Sequence, residues 1–174
     1  MRNIAVIYKS KYGATKQYAE WIAAAVNATL WEASTVKSAQ WASFDAVIYG
    51  GGLYAGKIAG AELIAEKSCS PLAVFTVGLA NPKTKDYSAI LNQNFTQEFL
   101  AKTMVFHLRG SIDYGKLGFV HRGMMAMVKN FLSRKNETKL SDEDKVLLNT
   151  YGGSCSFIKK SDIEPILAFV KRSV

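Results

Sequence analysis

The chain has 174 residues, of which 49% are hydrophobic and 21% are charged, with only 3 prolines. This is the composition of one ordinary globular domain, and it excludes collagen-like, disordered and disulfide-scaffold proteins. Lys and Arg total 22 against 14 Asp and Glu, a formal net charge of +8. The charge favours anionic partners such as phosphates, nucleic acid or an acidic membrane surface, without choosing among them.

The cysteines and the N-terminal residues bear on the cellular compartment. Cys69 and Cys155 lie far apart, with no Cys-x-x-Cys and no Cys/His cluster, so we expect neither a metal site nor a disulfide framework. The first apolar run ends at Lys9, which is too short for a secretory signal. No apolar run approaches the ~20 residues of a membrane-spanning helix. We therefore expect a reduced, cytoplasmic chain.

Continuous apolar runs predict four strands, because strands covered on both faces of a parallel sheet lack a polar side. The runs are residues 4–8, 44–50, 72–78 and 103–108, with a weaker strand candidate at 29–34. The second run ends in Gly50, Gly51 and Gly52, and the third ends in Gly78. Glycine at these points predicts strand-end loops at 50–52 and 79–86.

Apolar residues at helical spacing predict the helices between these strands. The predicted helices are residues 15–26, 61–66, 87–102 and 163–170, the last with Pro165 in its first turn, where a missing N–H is tolerated. Because strands and helices alternate, the sequence predicts a doubly wound α/β fold with helices on both faces of a parallel sheet.

Residues 110–157 exceed what a minimal alternating fold requires, and a structureless loop of this length is unusual in a compact domain. We therefore expect this segment to contain its own structure. It carries an apolar stripe at helical spacing, flanked by basic residues within 116–135. The stripe consists of Leu117, Val120, Met124, Met127, Val128 and Phe131. It suits either packing into the core or contact with an anionic membrane, where a quinone could be reached.

The loop after the first strand has the chemistry of a phosphate site. It reads Ser10-Lys11-Tyr12-Gly13-Ala14-Thr15. Two hydroxyls, a glycine and the free N–H groups of a helix start suit a phosphate, although Ser and Thr also cap helices without any ligand. The chain lacks Gly-x-x-x-x-Gly-Lys-Ser/Thr, and no Gly-x-Gly-x-x-Gly follows the first strand. A nucleotide-hydrolysing P-loop and a dinucleotide fingerprint are therefore not indicated.

This loop resembles that of the flavodoxin-like family, whose pattern Ser/Thr-x-Thr/x-Gly-x-Thr wraps the phosphate of FMN. Ser10, Gly13 and Thr15 match the pattern, whereas Tyr12 and Ala14 stand where electron-carrier flavodoxins usually have threonine and asparagine. The order of elements is similar over essentially the whole chain. The resemblance implies one flavodoxin-like, FMN-binding domain over residues 1–174. Its five-stranded parallel sheet would have the order 2-1-3-4-5, with an insertion at about 110–157 near the last strand.

The resemblance also implies that the second and third strand-end loops hold the isoalloxazine ring of FMN. In the second loop the implied residues are Gly51, Leu53, Tyr54, Ala55 and Gly56, and in the third they are Val77, Gly78, Leu79, Ala80 and Asn81. Tyr54 is the candidate for stacking on the ring, with a partly buried surface tyrosine as the alternative. We expect His107 to be structural and His121 to be exposed, with no metal site at either.

Within this family the chain is most similar to the flavodoxin-type protoporphyrinogen oxidases, which also carry a long late insertion with a basic, Met-rich helical stretch, here residues 114–138. The similarity implies an FMN-dependent oxidoreductase of heme biosynthesis that oxidises protoporphyrinogen with a quinone as acceptor. It would lie in the cytoplasm, peripheral to the inner face of the membrane. The similarity identifies no particular catalytic side chain, and no nucleic-acid partner is expected.

Two alternatives remain open. One is an electron carrier between redox partner proteins, which the basic charge and the lack of an aromatic residue in the third loop before Tyr87 argue against. The other is a binding or regulatory module that has lost its cofactor.

Overall fold

A parallel sheet forms the centre of the fold. The structure is a computed structural model that describes residues 2–65, 72–140 and 142–173. The strands of the main sheet are β1 (Ile4–Lys9), β2 (Thr29–Glu32), β3 (Ala46–Tyr54), β4 (Lys57–Ile58), β5 (Ala73–Gly78) and β6 (Met104–Arg109). Five strands run parallel in the order β2-β1-β3-β5-β6, and β4 pairs antiparallel with the end of β3. The predicted fold class and order 2-1-3-4-5 are confirmed, and β4 is a strand that the sequence did not indicate.

Helices and a second small sheet complete the described part of the chain. The helices are α1 (Ala14–Val26), α2 (Ser38–Trp41), α3 (Ala61–Ala65), α4 (Ser88–Asn94), α5 (Gln97–Lys102), α6 (Phe119–Ser133), α7 (Asp142–Thr150) and α8 (Glu164–Ser173). The strands β7 (Ser111–Asp113) and β8 (Ser154–Ser156) form an antiparallel ribbon. Short 3-10 turns occupy residues 33–35, 114–116, 137–139 and 160–163.

The glycine triplet does not form the expected loop. β3 runs through residues 50–52, and Gly50 lies directly opposite Phe75 of β5. A Cβ at Gly50 would overlap the Phe75 ring, so the missing side chain makes room for a buried aromatic. The chain turns instead at Ala55 and Gly56, whose φ values of 49° and 79° are both positive.

Two helix predictions also change in the structure. Residues 87–102 form two helices rather than one, because Phe95 is extended and the Thr96 side chain caps α5 by accepting from the Phe99 amide at 3.2 Å. The helix predicted at 61–66 is α3, and residue 66 lies outside the described residues.

Apolar side chains cover the main sheet on both faces, as the continuous strand runs predicted. One cluster joins the sheet to α1 and α8 through Tyr18, Ile22 and Ile166. The other packs Trp41 and Ile64 against the opposite face, together with Phe95 and Phe99. Burial on both sides leaves the ends of the strands as the accessible edges of the sheet.

Residues 110–157 have their own structure, as expected. The β7–β8 ribbon and α6 contribute to a small cluster formed by Ile112, Tyr114 and Leu117. The predicted apolar stripe is divided in the structure, since Leu117 is buried while Val120, Met127 and Phe131 are exposed. In the described ranges, no helix combines the length and the apolar character that crossing a membrane demands.

Candidate functional site

The junction between β1 and α1 presents an uncapped helix start. Gly13 precedes the helix with φ of 95° and makes no side-chain cap, and the first turn contains no acidic residue. A Cβ built on Gly13 would meet nothing within 4 Å. Free amides and the positive end of a helix dipole attract anions. The junction therefore fits an anionic group such as a phosphate.

The remaining residues of this junction hold the loop in shape. The Ser10 Oγ accepts a hydrogen bond from the Gly13 amide at 3.1 Å. Thr15 is buried, whereas Lys11 is exposed. Ser10 thus bonds within the loop rather than to the helix amides, which leaves the first-turn amides of Ala14 and Thr15 available to a ligand.

The predicted second-loop residues lie at the end of β3 and in the turn after it. Gly51 is buried within the strand, Leu53 and Tyr54 are its last two residues, and Ala55 and Gly56 form the turn to β4. The Leu53 side chain lies against the third loop, because a Cβ on Gly78 would stand 3.2 Å from Leu53 Cδ2. The second and third loops are therefore in contact.

The Tyr54 ring is part of an aromatic cluster that extends into the insertion. It stacks on His121 of α6, with ring centroids 5.5 Å apart and planes at 24°, and meets the edge of Tyr12 at 6.1 Å. The Tyr12 hydroxyl lies 2.6 Å from His121 Nδ1 and accepts from the Gly118 amide at 3.3 Å. The expectation that His121 is exposed is wrong, since it is half-buried in this cluster.

The hydroxyl of Tyr54 points back to the first loop. Burial raises the pKa of Tyr54, while backbone groups of Lys11 and Tyr12 act in the opposite direction. One face of the ring is covered by His121, so a planar ligand must use the other face or displace that histidine. The stacking role of Tyr54 remains a prediction.

The third loop is held by the end of β6. Val77 and Gly78 end β5, and Leu79, Ala80 and Asn81 follow as half-buried residues. The Arg109 guanidinium donates from Nε and Nη2 to the Leu79 carbonyl at 3.3 and 3.2 Å. The Gly110 amide donates to the Gly78 carbonyl at 2.7 Å. These bonds fix the loop backbone beside the carboxyl end of β5.

The structure brings the three predicted segments together at one edge of the sheet, because β1, β3 and β5 are neighbours. The Tyr12–Tyr54 and Leu53–Gly78 contacts join them. Sequence reasoning missed His121 and Arg109, which lie far along the chain from the loops they contact. Their basic character in the helix and at a strand end was visible, but nothing local indicated their partners.

His107 is structural, as expected. Its ring stacks on Tyr87 with centroids 3.7 Å apart, and its Nδ1 lies 2.6 Å from the Thr76 hydroxyl. Burial lowers the pKa of His107 to about 4. The ring is therefore neutral at physiological pH and belongs to the packing of β5 and β6.

Comparison with known proteins finds one matching family model and several similar solved structures. A family model described as a flavodoxin domain matches residues 5–141. The curated protein sequences give no match.

Among solved structures, the chain is similar to oxidised Flavodoxin 2 from Bacillus cereus. The identity is 12%, over 98% of this chain and 99% of that one, with a TM-score of 0.47. It is also similar to a flavodoxin, WrbA-like protein from Agrobacterium tumefaciens, at 21% identity over 60% and 76% of the two chains and a TM-score of 0.43. A third is a flavoprotein in complex with FMN from Lactobacillus acidophilus, at 14% identity over 63% and 93% and a TM-score of 0.41.

Proposed function

The chain belongs to the flavodoxin domain family, and we propose that it is a redox protein that binds FMN at the three loops following β1, β3 and β5. The observation that carries this proposal is the β1–α1 junction. There, α1 begins directly after Gly13 without a side-chain cap, and its first turn contains no acidic residue. A Cβ at Gly13 would meet no atom within 4 Å. This arrangement suits the phosphate of FMN.

The residues that would hold FMN are those predicted from the sequence. Ser10 to Thr15 would surround the phosphate, with Lys11 adding a positive charge at the exposed side. Leu53, Tyr54 and the loop of residues 77–81 would border the ring. When bound, FMN supplies the one- and two-electron redox chemistry, and the protein supplies binding, orientation and electrostatics.

Titration of the purified chain with FMN tests this proposal, with binding followed by flavin fluorescence. We expect saturable binding, weakened about tenfold by Gly13→Ala, because a Cβ and a restricted φ interfere with close approach of the phosphate. Gly152→Ala is the matched control, since Gly152 also has a positive φ of 85° and open space at its Cβ position but lies in the insertion. Absence of saturable binding, or equal affinities for the two variants, would contradict the proposal.

We further propose that the substrate is protoporphyrinogen and that a quinone is the acceptor. Hydrogen removed from the porphyrinogen would reach the quinone as electrons and protons and convert it to a quinol. The net charge of +8 supports this proposal, because it attracts the carboxylates of a porphyrin. So does the basic, Met-rich stretch at 114–138, through its similarity to the insertion of the flavodoxin-type oxidases.

The substrate proposal is tested separately from FMN binding. FMN-loaded protein is mixed anaerobically with protoporphyrinogen and a quinone, and porphyrin fluorescence is recorded. We expect the fluorescence to rise only when the quinone is present. Retained FMN with no quinone-dependent porphyrin would contradict the oxidase proposal and leave the FMN proposal standing.

An anionic membrane is the partner that we propose for residues 116–135. Helix α6 exposes Phe119, Val120, Met127 and Phe131, with Phe119 93% and Met127 73% exposed. The same helix carries Arg122 and Lys129 and has no acidic residue. An apolar face with basic neighbours is typical of helices that lie in an anionic membrane interface. Such contact would bring the chain to the quinone pool and place it at the cytoplasmic side of the membrane.

Sedimentation with lipid vesicles tests the membrane proposal. We expect binding to phosphatidylglycerol vesicles, little binding to phosphatidylcholine vesicles, and weakening by added salt. Met127→Gln should reduce the partition coefficient about tenfold through the lost apolar contact. Met104→Gln is the matched control, because Met104 is also exposed, at 48%, but lies on β6. Equal binding to both lipids, or equal loss in both variants, would contradict the proposal.

A further inference from the structure

Two aromatic side chains from distant segments form a stacked pair at the end of β3. The rings of Tyr54 and His121 have centroids 5.5 Å apart and planes at 24°. The pair is more open than that of Tyr87 and His107, whose centroids are 3.7 Å apart and whose planes meet at 7°. Tyr54 and His121 are both half-buried. Two nearly parallel rings therefore face each other at the edge of the sheet without close packing.

The Tyr54 ring lies beside Gly52 of its own strand. A Cβ at Gly52 would stand 2.8 Å from Tyr54 Cε2 and 2.9 Å from its Oη, so the missing side chain makes room for the ring. Tyr12 meets Tyr54 edge-on, and residues 79–86 of the third loop contain no aromatic side chain. His121 is therefore the ring that the fold stacks on a face of Tyr54.

The position of the His121 ring is set from the first loop. The Tyr12 hydroxyl lies 2.6 Å from His121 Nδ1 and accepts from the Gly118 amide at 3.3 Å. The Tyr12 ring also meets the imidazole at a centroid distance of 5.6 Å, with planes at 61°. These contacts hold the imidazole next to the loop proposed to bind the phosphate, although His121 belongs to the insertion.

Helix α6 needs to move only a short distance to admit a planar ligand between the two rings. A ring inserted there requires about 3.5 Å on each side, so the centroids must lie about 7 Å apart, about 1.5 Å more than they do. All 15 residues of α6 are described, and Leu132 alone among them is buried, near the end of the helix far from His121. A segment with few buried contacts undergoes such local displacement at low cost.

We propose that His121 forms the outer aromatic wall of the FMN site, so that the isoalloxazine ring lies between the rings of Tyr54 and His121. The inference rests on the proposed FMN binding and assigns the second stacking residue of that site. Stacking on two aromatic faces suits a flat conjugated ring better than stacking on one. The insertion is then part of the cofactor site rather than a separate surface beside it.

Titration of the full chain with FMN and with riboflavin, which lacks the phosphate, tests the inference through flavin fluorescence. We expect His121→Ala to weaken both ligands about tenfold, because each loses one stacking contact. Gly13→Ala should weaken FMN alone, because it acts at the phosphate. His121→Phe should restore both affinities, because it restores a ring at this position. Asn130→Ala is the matched control, since Asn130 is exposed on the same helix and asparagine and histidine have similar helix propensities.

The outcomes separate this inference from the FMN proposal. Weaker flavin binding in His121→Ala that His121→Phe recovers and Asn130→Ala does not reproduce supports the wall. Unchanged affinity in His121→Ala, loss without recovery in His121→Phe, or equal loss in Asn130→Ala overturns it. Stronger binding in His121→Ala also overturns it and identifies His121 as a cover that a flavin must displace from Tyr54. In each of these cases a loss of FMN affinity in Gly13→Ala leaves the FMN proposal standing, whereas no saturable FMN binding to the unsubstituted chain overturns both.

Discussion

The parallel sheet and the insertion differ in how they bury apolar side chains. Strands β3 and β5 are covered on both faces, and the aromatic and branched residues around them are almost completely buried. The insertion buries Ile112, Tyr114 and Leu117 in one small cluster, while α6 leaves four large apolar side chains exposed. The apolar residues of the sheet thus form its core, whereas the insertion leaves several large apolar side chains exposed to solvent.

The chain enters and leaves the insertion at a narrow stem, and α6 also contacts the first two strand-end loops through His121. The Tyr18 hydroxyl donates to the Arg109 carbonyl at 2.8 Å and accepts from the Lys159 amide at 3.2 Å. Between these positions, the Phe157 amide donates to the Gly110 carbonyl at 3.0 Å. The insertion therefore leaves and rejoins the sheet at one point, so substitutions in the two regions should have different consequences.

The strongest test of the comparison is Gly50→Ala in the sheet. A Cβ at this position would overlap the Phe75 ring, which is fully buried. We expect the free energy of unfolding to fall by about 3 kcal/mol, as overpacking of a dense core does. Urea unfolding followed by circular dichroism measures this change. A loss below about 0.5 kcal/mol would mean that the sheet is as adaptable as the insertion.

The next test breaks the stem. Tyr18→Phe leaves the Arg109 carbonyl and the Lys159 amide without their shared partner, so we expect a loss of about 2 kcal/mol. Burial raises the pKa of Tyr18 to about 12, so the hydroxyl and its effect persist through neutral pH. Amide hydrogen exchange should accelerate most near residues 110 and 157. Tyr8→Phe, in the same core cluster, is the control and should change these rates less.

The difference between the regions also explains which parts of the fold could be predicted. The strands themselves followed from continuous apolar runs, because each run must be covered on both faces. Their order came from the resemblance to the flavodoxin-like family. The triplet at 50–52 was misassigned because glycine usually signals a turn. Its role in β3 depends on the Phe75 ring across the sheet, which no local pattern reveals. The break at Phe95 combines a local signal, the Thr96 cap, with stacking of the Phe95 ring on Phe99.

For the candidate site, the loop after β1 was recognisable because its phosphate chemistry is local to six residues. The contacts of His121 were not, since His121 and Tyr12 are 109 positions apart in the chain. The same holds for Arg109, which bonds to a carbonyl 30 positions earlier. Sequence patterns indicate which residues face a core or begin a helix, but not which distant segments meet.

A third prediction concerns acid stability in the sheet. Burial lowers the pKa of His107 from 6.5 to about 4, so below pH 6.5 the unfolded chain binds a proton that the folded chain excludes. Stability should therefore fall as the pH decreases from 6.5 to 4, by about 1–2 kcal/mol after allowance for partial solvent exposure. His107→Gln should remove this component of the pH dependence in urea unfolding. An unchanged slope in the variant would show that other groups cause it.

Gly123→Ala in α6 should have the smallest effect on the free energy of unfolding, and it should raise this free energy where Gly50→Ala lowers it. Gly123 lies within a helix, and its Cβ position meets nothing within 4 Å. Alanine should stabilise the helix by about 0.8 kcal/mol and slow hydrogen exchange of the α6 amides about fourfold.

Gly152→Ala is the control that distinguishes the effect of free space from that of backbone conformation. Its Cβ position is equally open, but the residue has a φ of 85°. Strain there should destabilise the protein. Because the Cβ position of Gly123 meets no atom of the sheet within 4 Å, the gain from Gly123→Ala should remain local. An equal rise in the urea midpoint of the sheet would instead mean that the two regions unfold as one unit.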